Sequence, residues 1–311
     1  MTNIICGVDV SADALDARIG QASAYQRFAN SHEGVAELAA FCQHHRVDLV
    51  VMEATGGYEK LPFSLLWASG VPCAIVNPRS VRRFAEAMGF FEKTDRIDTG
   101  VIADYARVKR IAAHEPASES QERLRALVVR LRQLTELKVA QINQRRLLED
   151  TQAQASVDEL LTVIRRQIKT FEGLIAELLG SDPLWRALDA AFREIKGVAD
   201  RTVARLAAEM PEIGTVSNKA IAKLAGLAPI AKDSGKRQSK RSIRGGRSSV
   251  RSILVTVAAV VQRHDPDLAA FHQRLIQAGK PKMAARIAVA RKLLVRLNAK
   301  ARDARKTLAT T

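Results

Sequence analysis

Four carboxylates occupy positions at which a negative charge requires a physical reason. Asp9 interrupts the β-branched run "NIICGVDVS", and Glu53 ends a second apolar run, "VDLVVMEA". Asp95 and Asp98 are three residues apart in "KTDRIDTGVIADYA", so they share one face of the helix that this stretch predicts. Because like charges that close repel each other, the pair predicts a bound cation, provided that the other two acids lie nearby.

The elements around these acids alternate between strands and helices. Apolar runs predict strands at "NIICGVDVS", "LDARIG", "AYQRFAN", "VDLVVMEA" and "VPCAIVNP", with helices at "HEGVAELAAFCQHH" and "KLPFSLLWASG". This order is typical of an α/β domain with a mixed sheet. The first strand of such a sheet is commonly central and the fourth its neighbour, so Asp9 and Glu53 are expected at one sheet edge.

A helix laid across that edge would add Asp95 and Asp98 to the same site. Four converging carboxylates repel strongly unless divalent cations compensate them. Oxygen ligands suit Mg²⁺ or Mn²⁺, and two such ions about 4 Å apart stabilise the attacking and leaving oxygens of phosphoryl transfer. Each acid taken alone also fits a turn, a helix cap or a solvated surface position; the order of all four favours a two-ion metal site.

Long helices replace the alternating pattern from about residue 119 to residue 179. Leucine and isoleucine recur there at spacings of three and four, which predicts a helical hairpin or coiled coil, with an ordinary helical bundle as the alternative. "GSDP" at 180–183 ends this region, and the rest of the chain is predicted to be mostly helical. We therefore expect a catalytic domain at 1–115, a coiled-coil linker or oligomerisation arm at 116–182, and a basic helical domain at 183–311.

Charge is distributed unevenly along the chain. The net charge is +16 overall, but residues 191–311 hold 26 Lys and Arg against 8 Asp and Glu, a net of +18. This predicts a nucleic-acid partner, duplex DNA first, although a basic surface can also serve solubility alone. No apolar run is long enough to cross a bilayer, "MTNIICGVDVS" has no basic n-region of the kind found in signal peptides, and three cysteines without metal-ligand spacing suit a reducing compartment, so a cytoplasmic protein is expected.

One polar stretch, "AGLAPIAKDSGKRQSKRSIRGGRSSVR", concentrates the basic residues. Eight of them lie between residues 232 and 251, and the glycines among them allow close approach of the backbone to a phosphate chain. Aromatic residues are absent here, which favours backbone contacts over base stacking. The eight are Lys232, Lys236, Arg237, Lys240, Arg241, Arg244, Arg247 and Arg251. Ser234 lies in the same stretch and by itself is typical of a turn.

Several motifs together resemble one known family. The order Asp, Glu, Asp, Asp on a meander followed by helices is similar to the RNase H-like fold of the Holliday-junction resolvases (RuvC-like). "GVDVS", "EATGGYE", "VNPRSVRRFAEAMG" and "KTDRIDTGVIADYAR" resemble the DEDD insertion-sequence transposases of the IS one-ten family, which includes the Piv-type invertases and the bridge-RNA-guided serine recombinases. "IKGVADRTVARLAAEM" is similar to the family's helix-hairpin-helix-like segment, and "KAIAKLAGLAPIAKDSG" to its second conserved block.

The resemblance implies a function and its partners. It implies a DNA transposase or site-specific recombinase whose four acids bind two metal ions and whose nucleophile is Ser234. It also implies a structured guide RNA, a homo-oligomer (dimer or tetramer) whose sites combine the acids of one subunit with the serine of another, and a nucleoid-associated bacterial protein.

Three alternatives remain at this point. They are a RuvC-like structure-specific nuclease that uses water, a non-catalytic nucleic-acid-binding protein, and an actin-like kinase, which lacks a second phosphate loop here and leaves the basic C-terminal region unexplained.

Overall fold

The computed structural model describes residues 4–20, 24–92, 95–231, 233–234 and 241–310, without the side chains of residues 95–97. It divides into two compact units, Met1–Ala117 and Ser118–Thr311, and each is described by itself. Within the described residues, no helix has the length and apolar character needed to cross a membrane.

The first unit is an α/β domain. Its elements in chain order are β1 (Ile5–Val10), β2 (Ala14–Ile19), β3 (Tyr25–Ala29), α1 (His32–His44), β4 (Leu49–Glu53), α2 (Lys60–Ala68), β5 (Cys73–Val76), α3 (Pro78–Ala87) and α4 (Asp95–Lys109). The sheet order is β3-β2-β1-β4-β5, with β2 antiparallel to β1 and β3, and β4 parallel to β1 and β5. The predicted mixed sheet is confirmed, and β1 is its central strand.

Alternation along β1 divides its side chains between two apolar clusters. Cys6, Val8 and Val10 belong to one cluster with residues of α1 and α2, while Ile5 belongs to a second cluster with residues of α3 and α4. Since side chains on a strand point alternately to opposite faces, odd-numbered β1 residues lie on the face that α3 and α4 cover.

Helix α4 lies unusually close to the central strand because Gly7 has no side chain. A Cβ atom at Gly7 would lie 2.1 Å from the carbonyl oxygen of Thr99 and 2.8 Å from the backbone nitrogen of Ala103. Both distances are shorter than any tolerable contact, so only glycine permits this packing. The first half of α4 is therefore fixed against the middle of β1.

The second unit is almost entirely helical in its described part. Its elements are α5 (Glu119–Arg145), α6 (Thr151–Ser181), α7 (Pro183–Arg193), α8 (Asp200–Glu209), α9 (Asn218–Leu224), β6 (Pro229–Ile230), β7 (Ser242–Ile243), α10 (Ser248–His264), α11 (Pro266–Gln277) and α12 (Lys282–Thr310). Helices α5 and α6 form the predicted hairpin, linked near its turn by a bidentate Arg145–Asp158 ion pair.

The apolar stripe of the hairpin does not stand alone. Leu124 and Leu131 of α5 and Ile168 of α6 belong to the same buried cluster as Phe192 of α7 and Leu293 of α12. The heptad-like spacing thus packs against helices of the same chain, and a coiled coil with another chain stays a prediction.

Candidate active site

Asp9 and Glu53 lie side by side at the carboxyl ends of two neighbouring parallel strands. The β1–β4 register pairs Gly7 with Val51 and Val8 with Met52, so the next residues along the two strands are Asp9 and Glu53. Adjacent strands are about 4.8 Å apart, and residues in register point to the same face. Both residues are half-buried. The two acids therefore form one carboxylate pair on the face that α4 covers.

The first turn of α4 lies at the same edge of the sheet. The chain leaves α4 and reaches the opposite edge, because the backbone N–H of His114 donates to the carbonyl of Cys73, the first residue of β5, at 3.1 Å. A 15-residue helix is about 22 Å long, close to the roughly 20 Å of the six-residue strand β1. The half-buried Asp98 therefore belongs at the carboxyl edge, next to Thr99 and its contact with Gly7.

Asp95 is the first residue of α4, and its side chain lies outside the described residues. Among the side chains that are described, no three His, Cys, Asp or Glu form a cluster of the kind that holds a metal ion. Asp9, Glu53 and Asp98 nevertheless suit a hard divalent cation, because all three are half-buried carboxylates on rigid elements.

A fifth acid, which the sequence did not reveal, borders the pair. Asp16 of β2 is in register with Asp9 of β1 and is only 4% exposed. Its carboxylate accepts a hydrogen bond from the hydroxyl of Tyr25 and lies 3.8 Å from the guanidinium of Arg27. The alternation in "LDARIG" could have indicated its face, since Leu15, Ala17 and Ile19 pack on the other one.

Ser234 lies at the neck of a loop in the second unit. The short strands β6 and β7 pair Pro229 with Ile243 and Ile230 with Ser242, and they form the stem of this loop. Ser234 is exposed, and its neighbour Asp233 forms an ion pair with Arg241 at 2.7 Å across the neck. The serine thus has solvent access beside a closed stem.

Two glycines seal the base of that stem. A Cβ atom at Gly246 would lie 2.3 Å from the backbone nitrogen of Gly226, and one at Gly226 would lie 2.2 Å from the carbonyl oxygen of Gly245. Both glycines also have positive φ angles, of 66° and 67°. The two ends of the serine loop can approach this closely only without side chains.

The predicted phosphate-binding residues fall into different groups. Lys232, Lys236, Arg237 and Lys240 lie outside the described residues. Arg244 is exposed, whereas Arg251 donates to the carbonyl of Gly245 at 2.7 Å and so braces the loop. Arg241 is engaged by Asp233 across the neck of the loop.

Arg247 forms a double ion pair within its own unit. Its guanidinium donates to both carboxylate oxygens of Glu212, at 2.7 and 2.5 Å. Burial raises the pKa of Glu212, but the hydrogen bonds and charge of Arg247 outweigh it, so that the pKa is lowered overall. The same hydrogen bonds raise the pKa of Arg247. This arginine anchors the start of α10, and its side chain is already committed to Glu212.

Comparison with known proteins defines the class of this chain. A family model of DEDD type described as "Transposase" matches residues 6–151, and a second, described as "Transposase IS116/IS110/IS902 family", matches residues 189–273. Together the matches cover both units and define a DNA transposase or recombinase. The chain belongs to the IS116/IS110/IS902 family of transposases, which confirms the family predicted from the sequence.

Two curated relatives match over nearly the full length. The pilin gene-inverting proteins of Moraxella lacunata and Moraxella bovis are each 27% identical over 315 aligned positions, covering 94% of this chain and 94% of theirs. Among solved structures, RuvC of Thermus thermophilus aligns with 35% of this chain and 98% of its own at 14% identity, with a TM-score of 0.25. The last similarity is too low to carry an argument.

Proposed function

We propose that this transposase cuts and exchanges DNA strands with a divalent-metal site on its first unit and a serine nucleophile, Ser234, on its second. The observation that carries the proposal is the meeting of Asp9 and Glu53 at one sheet edge, under the helix that bears Asp95 and Asp98. Acids at the ends of parallel strands, next to a helix start, are suited to divalent cations, and such cations can bind a phosphodiester.

Asp9, Glu53, Asp95 and Asp98 would hold two Mg²⁺ or Mn²⁺ ions. When bound, such ions stabilise negative charge on the phosphate oxygens. The protein's own contribution is rigidity: Gly7 lets α4 rest directly on β1, so the carboxylates are held before a cation arrives.

Ser234 would make the covalent step. Its Oγ forms an ester with the phosphorus while the bond from phosphorus to one deoxyribose oxygen breaks. That oxygen leaves as a hydroxyl, and the proton it gains balances the one that serine loses. A recombinase needs this ester, because the energy of the phosphodiester must be kept for rejoining the strands. The exposure of Ser234 beside a closed stem supports this role.

The partners follow from charge and from family membership. Duplex DNA is the substrate class, and the net charge of +18 on residues 191–311 supports a second polyanion, a structured guide RNA that would choose the target. A homodimer or tetramer would let the acids of one subunit act with the serine of another on the same phosphate.

The test uses the full-length protein with its guide RNA and a labelled DNA substrate. Wild type in Mg²⁺ should give a protein–DNA adduct on denaturing gels, Ser234→Ala should give none, and Asp98→Asn should give none while still binding DNA. Glu37→Gln, an exposed acid on α1, serves as the matched control and should behave like wild type.

Two results would contradict the proposal in different ways. Cleavage by wild type without any adduct, persisting in Ser234→Ala, would identify a nuclease that uses water. Normal cleavage by Asp98→Asn would mean that the metal site is elsewhere.

A further inference from the structure

Helix α3 carries a basic stripe on a unit that is otherwise slightly acidic. Residues 1–110 hold 12 Lys and Arg against 13 Asp and Glu. Arg79, Arg82 and Arg83 are nevertheless spaced at three and four along α3, and all three are exposed, while Val81 and Ala85 on the other side are buried. Three arginines on one face of a ten-residue helix form a local positive surface.

Exposed apolar side chains follow the stripe directly. Met88 is 57% exposed, Phe90 is 42% exposed and Phe91 is 74% exposed. This is not a frayed end, because Gly89 has a positive φ of 83° and the N–H of Phe90 donates to the carbonyl of Ala85 at 2.9 Å, which closes the helix. The NH2 group of Arg82 reaches the carbonyl of Phe91 at 3.5 Å. The aromatic turn is thus joined to the arginine stripe.

This surface begins beside the carboxylate pair. Glu53 is in register with Val76 at the end of β5, and α3 starts two residues later at Pro78, capped by the side chain of Asn77. Arg79 is therefore in the first turn of a helix that rises from the same sheet edge as Glu53. In the sequence, the aromatic turn that contains Phe90 and Phe91 comes just before α4, which begins at Asp95.

We propose that Arg79, Arg82, Arg83, Phe90 and Phe91 form a binding site for unpaired nucleotides of the DNA strand at the cleavage position. The arginines contact the phosphates, and the two phenylalanine rings stack on exposed bases. Base–aromatic stacking combined with a positive track is the usual way in which proteins hold single strands. The site rests on the proposed function, since it adds the means of holding the strand that the acids would cut.

Position, and not composition, favours nucleic acid over a protein partner, because aromatic residues, methionine and arginine are also enriched at protein interfaces. The arginines begin at the sheet edge of Glu53, in a chain of a transposase family, where the proposed function requires a DNA strand to lie. Glu86 lies 3.4 Å from Arg82 and balances part of the charge there. The basic loop at 232–251 contains no aromatic residue and suits backbone contacts alone. Within the described residues, the α3 surface therefore offers what that loop lacks, a platform for bases.

The test measures DNA binding without divalent metal, so that it does not depend on cleavage. The probes are a single-stranded oligonucleotide containing 2-aminopurine and a blunt duplex of the same sequence. Phe90→Ala/Phe91→Ala, which removes two stacking rings, should bind the single strand at least about thirtyfold more weakly and lose the quenching of 2-aminopurine, with duplex binding little changed. Phe91→Trp should retain binding, and the fluorescence of the introduced tryptophan should be quenched when the single strand binds. Leu147→Ala, at an exposed apolar residue of the second unit, is the control.

The arginines are tested by salt dependence. Arg82→Gln/Arg83→Gln should lower the log–log salt slope for the single strand by about 0.7 for each phosphate that the variant no longer binds. The matched control is Arg46→Gln/Arg110→Gln, which removes the same charge from the same unit next to the amino ends of the strands and should leave the slope unchanged.

Two outcomes would overturn the inference: single-strand binding by Phe90→Ala/Phe91→Ala that equals wild type, or an effect of these changes on self-association alone. A wild type that forms no covalent adduct, but whose phenylalanine variants lose single-strand binding, would contradict only the proposed function.

Discussion

Asp16 lies directly opposite Asp9 across the antiparallel pair of β1 and β2, so two carboxylates face each other at the centre of the sheet. Like charges in this arrangement destabilise a sheet unless something compensates them. Tyr25 and Arg27 compensate Asp16 from β3. On the other side of β1, Glu53 is the neighbour of Asp9. We infer that Asp16 acts on the proposed metal site through its charge and not as a ligand, because Tyr25 and Arg27 already contact its carboxylate.

We predict that Asp16→Asn raises the Mg²⁺ concentration that cleavage requires, without abolishing cleavage. Removal of a carboxylate one strand away lowers the negative potential at the site, and loss of such an outer partner typically costs about 10- to 100-fold in metal affinity. A Mg²⁺ titration of cleavage measures the shift. Asp104→Asn, paired with Arg107 near the far end of α4, should leave the titration unchanged. An unaltered midpoint in Asp16→Asn would remove Asp16 from the site.

Gly7→Ala should separate the acids by moving α4. The added methyl group has no room between β1 and the backbone of Thr99, so the helix must shift. We expect a loss of about 1–3 kcal/mol in the free energy of unfolding and a larger loss of cleavage than of DNA binding. Gly173→Ala is the matched control, because a Cβ there meets nothing within 4 Å. Chemical denaturation and a cleavage assay on both variants check this; full cleavage by Gly7→Ala would contradict the proposed position of Asp98.

Arg244 and Arg247 should respond differently to the same substitution. Arg244→Gln should lower the salt slope of duplex binding by about 0.9 if that arginine contacts one phosphate, with stability unchanged. Arg247→Gln leaves Glu212 without its ion pair and should cost about 1 kcal/mol in stability, with little change in slope. Salt titrations and denaturation curves of the two variants separate these effects, and a reversed pattern would place the DNA against Arg247.

The three cysteines should be inert to alkylation in the folded protein. Cys6, Cys42 and Cys73 are buried and form no disulfide. Burial raises the pKa of the Cys73 thiol to about 12. The pKa of the Cys6 thiol is also raised, first by a hydrogen bond with Cys42 and second by burial. Iodoacetamide at pH 8, read by mass spectrometry, should add nothing before unfolding and label all three cysteines afterwards.

The raised pKa of Cys73 also sets a pH dependence of stability. The unfolded thiol ionises near pH 9 and the folded one near 12, so the folded state binds more protons in between. The free energy of unfolding should therefore fall as the pH rises from about 9 towards 12. Denaturation midpoints of wild type and Cys73→Ala across this pH range measure how much Cys73 contributes. If the midpoints of the two proteins fell equally, Cys73 would contribute nothing.

If each active site combines the acids of one subunit with the serine of another, two inactive variants should restore strand exchange when they are mixed. Asp98→Asn retains Ser234, and Ser234→Ala retains the acids, so a mixed oligomer would contain a site with both. A mixture of the two purified proteins should recover a measurable part of wild-type strand exchange after subunits are allowed to exchange. No recovery in a mixture that demonstrably forms mixed oligomers would mean that each subunit supplies both parts.

The sequence predicted the sheet and the strand-end positions of Asp9 and Glu53 because alternation and strand ends are local signals. Asp9 and Glu53 were recognisable as charges at the ends of apolar runs. Asp16 was missed because strand register, which brings it opposite Asp9, cannot be read from one strand.

Long-range partners explain the other differences. Arg247 was grouped with the phosphate-binding residues because Glu212 is 35 residues away in the sequence. The repeat of leucines in α5 and α6 indicated an apolar stripe correctly, but a stripe does not say whether its partner is another chain or, as here, α7 and α12 as well.

The serine loop, which runs from Gly226 to Gly246 and contains Ser234, resembles a macrocycle because its two ends are in contact. Its two ends are held together by backbone against backbone, so the segment between them is closed independently of its length. Each doubling of a closed flexible loop costs only about 0.6 kcal/mol. If the segment between the two glycines follows this rule, we predict that changes in its length cost little folding free energy. We therefore expect that this loop can lengthen, shorten or change its charge in evolution while the helical unit that carries it stays the same.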